Sequence, residues 1–130
     1  MNTSNLFIIS GPSGVGEDSV IDGLAQRLSI ERVKTTTTRK MREGESPGNP
    51  YHFVSREDFE QKIANGEMVE YAQEYNDHYY GVTRAEIERV VTSGKVGIWK
   101  IEYKGVMTAK KLFPGIIAIF LTVSDLAILE

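Results

Sequence analysis

Three clusters in this chain carry side chains able to do chemistry. The first is "SGPSGVGEDS", residues 10 to 19, in which Gly11 and Gly16 stand in G-x-x-x-x-G spacing with Ser13 and Gly14 between them. Glycines at such spacing let backbone amides approach an anion, and a following helix adds its positive end. A phosphate-binding loop continues with Lys and then Ser or Thr. Here the next residues are Glu17, Asp18 and Ser19. The second cluster is "TTTTRKMREGE", residues 35 to 45, with Arg39 and Arg42 three apart beside several hydroxyls. Arginine forks match phosphate oxygens, although the same residues also suit a solvated basic face. The third comprises Tyr51, Glu70 and Tyr80. A carboxylate such as Glu70 accepts from the N1–H and 2-amino group of guanine, a donor pair that adenine lacks; its plain alternative is an exposed hairpin charge.

The pattern of the chain says which elements hold these groups. "NLFIIS", 5 to 10, is an apolar run that ends in the glycine loop, and the apolar spacing of Val20, Ile21, Leu24 and Leu28 predicts a helix over about 17 to 29. Strand, glycine loop and helix form the context a phosphate loop requires. Ser55, with Asp58 three residues on, predicts an N-cap and a helix ending at Gly66. "MVEYAQEYNDHYYGV" predicts an antiparallel hairpin turning at Asn76-Asp77, and Thr83 with Glu86 has capping-box spacing for a helix that stops at Gly94. "KVGIWKIE" predicts a second core strand, "GVMTAKKLFPG" a short helix ending near Pro114, and the apolar run at 115 to 123 a third, buried strand. Apolar strands separated by helices predict an α/β fold with a parallel sheet. Residues from about 35 to 83 are polar, aromatic and basic, and are expected to form an inserted lobe of antiparallel strands between core segments at about 1 to 34 and 84 to 130. Ser124 opens a helical pattern that stops at Glu130, so the sequence reads as ending early.

Composition narrows the classes. A formal net charge of -3 provides no basic surface for nucleic acid. With no cysteine, disulfides and thiolate metal sites are excluded, and His52 and His78 are too far apart in sequence to suggest a zinc site. No apolar run reaches the roughly 18 residues of a membrane span. "MNTSN" lacks the features of a signal peptide, so the expected location is the cytoplasm. Oligomeric state is not legible.

In combination, "IISGPSGVG", "TTTTRKMREGE", "YHFVS", "MVEYAQ", "YYGVT" and "SGK" closely resemble the guanylate kinase family in order and spacing, over nearly the whole chain. The resemblance implies a phosphate-loop kinase fold with a GMP-binding lobe. It also implies transfer of the ATP γ-phosphoryl group to GMP with Mg²⁺, a reaction that consists mostly of positioning and charge neutralisation. On matching positions, Thr35, Arg39, Arg42, Tyr51 and Tyr80 are expected to hold the GMP phosphate, and Glu70 to read guanine. Arg39 and Arg42 would also assist the transfer.

The chain departs from the family pattern on the donor side. Glu17 replaces the lysine that would bridge the ATP phosphates. At about 6 Å and an effective dielectric near 20, each unit of like charge costs roughly 3 kcal/mol. Asp18 replaces the Mg²⁺-binding hydroxyl, and as an oxygen ligand it is the one metal-site candidate. In "IWKIEYKG" the family's two aspartates become Lys100 and Glu102, the latter still counted with the GMP site. The exchange of signs predicts a Glu17–Lys100 pair, with Lys100 either a relocated phosphate ligand or a structural partner. Val82 replaces a hydroxyl expected near guanine. The family's lid arginines fall beyond residue 130. Two readings follow: a guanylate kinase with an altered donor site and weak turnover in this 130-residue chain, or a non-catalytic module that binds GMP or a phosphopeptide. A small GTPase is disfavoured because no N-K-x-D motif is present.

Overall fold

The computed structural model describes residues 1–11, 16–74 and 76–122, and the chain divides into two compact units. The first comprises Met1–Arg32 and Val90–Glu130, the second Val33–Arg89.

In the first unit, β1 (Leu6–Ser10) is followed by α1 (Glu17–Ala25) and β2 (Ile30–Arg32); β7 (Val96–Lys100), α4 (Tyr103–Leu112) and β8 (Ile117–Phe120) complete it. The sheet order is β2-β7-β1-β8 and every pairing is parallel, the arrangement expected when helices intervene between strands. Ile9, Ile21 and Ile98 pack at its centre, with Phe7, Leu24, Ile30, Val96 and Leu121 against them. Gly97 is needed for close approach, since a Cβ there would lie 2.6 Å from Val90 Cγ1 and 3.0 Å from Leu6 Cδ1.

Two expectations change here. Helix α1 stops at Ala25 rather than near 29, because the chain must turn to enter β2, a three-residue strand with too little pattern to detect in sequence. The third core strand is shorter than its apolar run and is not buried. Ile117 is 55% exposed and Phe120 48%, and β8 is an end strand of the sheet. Among the described residues no helix is long and apolar enough to cross a membrane.

In the second unit, β3 (Thr36–Thr37), β4 (His52–Phe53), α2 (Arg56–Ala64), β5 (Met68–Gln73) and β6 (Tyr79–Thr83) lead into α3 (Arg84–Val91), within which the division between units falls. The sheet order is β4-β3-β6-β5. It is mixed rather than antiparallel throughout: β5–β6 and β3–β6 are antiparallel, but β3 and β4 run parallel. The loop between β3 and β4 is long enough to bring the chain back in the same direction, which a tight hairpin cannot do.

The local signals act as their chemistry dictates. Ser55 Oγ accepts from the Asp58 N–H at 3.0 Å and caps α2. Thr83 Oγ1 accepts from the Glu86 N–H at 3.1 Å at the start of α3. Only that half of the capping box forms, because the Glu86 carboxylate is drawn to Lys34, His52 and Arg89. The hairpin turns through Asp77, which takes a left-handed φ of 67°, and His78 N–H donates to Asn76 Oδ1.

Candidate nucleotide-binding site

Strand alternation builds the first cluster, wholly inside the second unit. Successive residues of a strand face opposite sides. Tyr80 pairs with Ala72 and Val82 with Glu70, so Tyr80, Val82 and Glu70 share one face. Tyr79 and Tyr71 take the other, where Phe59 of α2 stacks on Tyr79 at 4.8 Å and meets Tyr71 edge-on at 6.4 Å. The helix therefore covers one face and leaves the other to Glu70 and Tyr80. Gly81 between them admits no side chain: a Cβ would lie 2.6 Å from the Glu70 carbonyl oxygen.

The aromatic and basic residues converge beside Tyr80. The Tyr51 ring lies 6.1 Å from Tyr80 and 5.9 Å from Phe53. The Arg39 guanidinium sits 5.2 Å from the Tyr51 ring centroid and 5.6 Å from that of Phe53. A cation over two rings is held in place by their quadrupoles. Its Nη1 and Nη2 donate to the two Glu45 oxygens at 3.0 and 2.9 Å, and Nη1 also donates to the Lys40 carbonyl. Glu45 raises the Arg39 pKa further, and Arg39, then the Arg42 N–H, hold the Glu45 carboxyl below the ordinary carboxylate range. Arg42 is exposed, and its backbone N–H donates to Glu45 Oε1 at 2.8 Å.

The threonine run supplies fewer free hydroxyls than its composition suggests. Thr36 and Thr37 are buried; Thr37 Oγ1 donates to the Tyr79 carbonyl and accepts from the Arg39 N–H. Thr38 Oγ1 accepts from the Tyr79 N–H. Two hydroxyls thus fasten β3 and its C-terminal extension to β6. Thr35 is half-buried and its carbonyl accepts from the His52 N–H at 2.9 Å.

Six sequence-predicted residues thus fall in this unit and on this cluster or its border: Thr35, Arg39, Arg42, Tyr51, Glu70 and Tyr80. Val82 lies on the same face, fully buried. Glu45 was missed, although its position three residues after Arg42 is a spacing that favours a reciprocal turn: its own N–H donates to the Arg42 carbonyl at 3.0 Å.

The second cluster belongs to the first unit. Gly16 caps α1 with a left-handed φ of 91°, which only glycine adopts readily, and Glu17, Asp18 and Ser19 follow in the first turn. Gly11 is half-buried at the end of β1; Ser13 and Gly14 lie outside the described residues. Ser10 Oγ and Trp99 Nε1 are buried without a hydrogen-bond partner among the described residues. Lys100 ends β7 and Glu102 is the N-cap of α4, without a side-chain capping bond.

The expected Glu17–Lys100 pair is replaced by another. Lys100 Nζ donates to Asp18 Oδ2 at 3.0 Å, and Arg32 Nη2 donates to Asp18 Oδ1 at 3.1 Å. Lys100 first and Arg32 second lower the Asp18 pKa. The reason is angular: neighbouring helix residues point about 100° apart, and it is the Asp18 direction that meets the ends of β2 and β7. With both oxygens given to cations, Asp18 is a poor match for Mg²⁺, which takes carboxylates together with substrate phosphates. No group of three or more His, Asp or Glu that could hold a metal is found among the described residues.

This contact is mostly in water, Asp18 being 62% and Lys100 38% exposed. A double-mutant cycle with Asp18→Ala and Lys100→Ala is expected to give a coupling below about 1 kcal/mol that weakens with salt. The same cycle between Glu17 and Lys100 is expected to be additive. Urea denaturation of the single and double variants measures both, and a larger Glu17 coupling would reverse the assignment.

Comparison with known proteins bears on both clusters. The sequence model of the guanylate kinase family matches residues 3–130. The guanylate kinase of Helicobacter pylori (strain ATCC 700392 / 26695) is 38% identical over 130 residues, covering 99% of this chain and 63% of that protein. That of Latilactobacillus sakei subsp. sakei (strain 23K) is 41% identical over 127 residues, covering 96% and 62% respectively. The crystal structure of guanylate kinase from Anaplasma phagocytophilum superposes with a TM-score of 0.67 at 32% identity, over 88% of this chain and 58% of the other. The chain therefore spans less than two thirds of the length of these relatives. With a parallel-sheet α/β unit, a second mixed-sheet unit and a match along almost its entire length, this chain belongs to the guanylate kinase family.

Proposed function

We propose that the second unit binds GMP and that the protein takes part in the family reaction, transfer of the ATP γ-phosphoryl group to GMP. The observation that carries this reading is the shared face of Glu70 and Tyr80, with Tyr51 against Tyr80 and Arg39 against Tyr51. Arg39, Arg42 and the two tyrosine hydroxyls would hold the phosphate, with Thr35 at its border. Glu70 would accept from the guanine N1–H and 2-amino group. Glu102, counted with the GMP site in the sequence, lies on the first unit. ATP would arrive with Mg²⁺, which supplies charge neutralisation on its phosphates; the tied Asp18 carboxylate does not fit as that ion's protein ligand, and no step depends on it.

The donor side supports a second reading, a module that binds GMP with little transfer. Lys100 and Arg32, the cations beside the first turn of α1, are both given to Asp18, and Glu17 stands where the family has lysine. Lys100 in this arrangement is a structural partner rather than a ligand aimed at ATP. A coupled assay for ADP formation separates the two readings.

Calorimetric titration with GMP, guanosine and AMP tests the binding itself. GMP is expected to bind more tightly than either. Arg42→Ala is expected to weaken GMP about tenfold, as for loss of one solvent-exposed charged contact, and to leave guanosine unchanged. If Arg42→Ala shifts neither ligand, the basic loop is only a solvated face.

A further inference from the structure

We propose that Glu45 is the positioning residue of the phosphate pocket, fixing which edge of Arg39 meets the phosphate of GMP; this rests on the GMP reading above. A guanidinium has five N–H donors in one plane and two bidentate edges. Glu45 takes the end-on edge, Nη1 with Oε1 and Nη2 with Oε2. The second Nη1 hydrogen goes to the Lys40 carbonyl at 3.0 Å. What remains is Nε–H and the outer Nη2–H, which lie side by side on the neighbouring edge, sharing Nη2 with the edge that Glu45 takes and turned about 120° from it. That edge is a ready fork for two phosphate oxygens, and the Tyr51 and Phe53 rings hold the plane of the guanidinium.

The same carboxylate also sets the second arginine. Glu45 Oε1 accepts from the Arg42 N–H at 2.8 Å while the Glu45 N–H donates to the Arg42 carbonyl at 3.0 Å. This reciprocal turn fixes the backbone from which the exposed Arg42 side chain leaves. One acidic residue in a basic loop thus organises both cations. Its charge occupies the end-on edge and leaves the Nε edge open to a ligand, so it orients the fork without filling the ligand's place. The opposing possibility is that Glu45 is an internal competitor that a phosphate must expel.

The two predict opposite signs. In calorimetric titrations at neutral pH, Glu45→Ala is expected to lower GMP affinity at least tenfold and leave guanosine affinity within twofold. Glu45→Gln, which keeps one acceptor oxygen and the side-chain length, is expected to lose less and serves if the alanine variant does not fold. In the parent protein, the Arg39 Nε–H resonance, assigned with Arg39→Lys, is expected to shift on addition of GMP and not of guanosine. Unchanged or increased GMP affinity in both Glu45 variants, or a silent Nε–H, would overturn the proposal. A parent that does not prefer GMP to guanosine would overturn the GMP reading and this proposal with it, whereas a preference that survives in both variants removes the role of Glu45 alone.

Discussion

Alanine at Glu86 is expected to lower the stability of the protein by about 2–4 kcal/mol at neutral pH. The Glu86 side chain is 4% exposed, and it accepts from Arg89 Nε and Nη2 at 3.0 and 2.8 Å, from the Lys34 N–H at 2.8 Å and from His52 Nε2 at 3.2 Å. One carboxylate therefore joins α3 to β4 and to the segment entering β3. Removing it takes the acceptor from the part-buried Lys34 N–H and two hydrogen bonds from Arg89. Loss of one partner from a buried pair costs roughly 3–5 kcal/mol; the lower figure here reflects Arg89 and His52, which are 42% and 40% exposed and recover water.

The effect has a pH signature. Burial pushes the Glu86 pKa up, but Arg89, the Lys34 N–H and His52 outweigh it, so the folded value lies below the ordinary one. A depressed carboxyl contributes stability that is fully present above its unfolded value of about 4.3 and is lost as pH falls through the folded value. Asp18 and Glu45 are shifted in the same direction, so the parent alone does not isolate Glu86. The difference between parent and Glu86→Ala does. Urea denaturation followed by circular dichroism should show that difference at pH 7 and shrinking below pH 4. A change under about 0.5 kcal/mol at pH 7 would mean that the network is decorative.

Exchange of Glu70 for glutamine is expected to cut the preference for GMP over AMP by about 1–3 kcal/mol, the scale of a charge-assisted hydrogen bond lost. Glutamate offers two acceptor oxygens to the two guanine donors. Glutamine turns one of them into an amide donor, which must then face N1–H or the 2-amino group. AMP lacks that donor pair, so its affinity should hold or improve. Glu70 lies on β5, half-buried and opposite Val82 across the β5–β6 pair, so the change leaves the strand pairing in place. Calorimetry with both nucleotides decides the matter: an unaltered GMP to AMP ratio in the variant would remove Glu70 as the reader of the base.

The elements whose information is local are legible in the sequence. Helix α2 follows from Ser55 and Asp58, the β5–β6 hairpin from alternation and a turn at Asn76-Asp77, and the parallel sheet from apolar runs separated by helices. Hydrogen bonds and patterns between near neighbours fix such features whatever the rest of the chain does. The face that Glu70 and Tyr80 share needed the β5–β6 register as well, in which Glu70 stands opposite Val82 and Ala72 opposite Tyr80.

Only the tertiary structure decided how the charges are shared. Sequence comparison pointed to Glu17 for Lys100; the fold chose Asp18, because one residue along a helix turns a side chain by about 100° and the partner arrives from 82 residues away. Arg32 joined it from a strand too short to leave a pattern. The run 115–123 has the composition of a buried strand, yet β8 is the sheet's end strand with its larger side chains exposed, since apolarity encodes a wish for cover and not a position in the strand order. Arg39 and Glu45 sit six residues apart in a loop without periodicity, and no pattern says which edge of a guanidinium a carboxylate will take. The Tyr51 and Phe53 rings beside that guanidinium are brought there by β4, which pairs with β3.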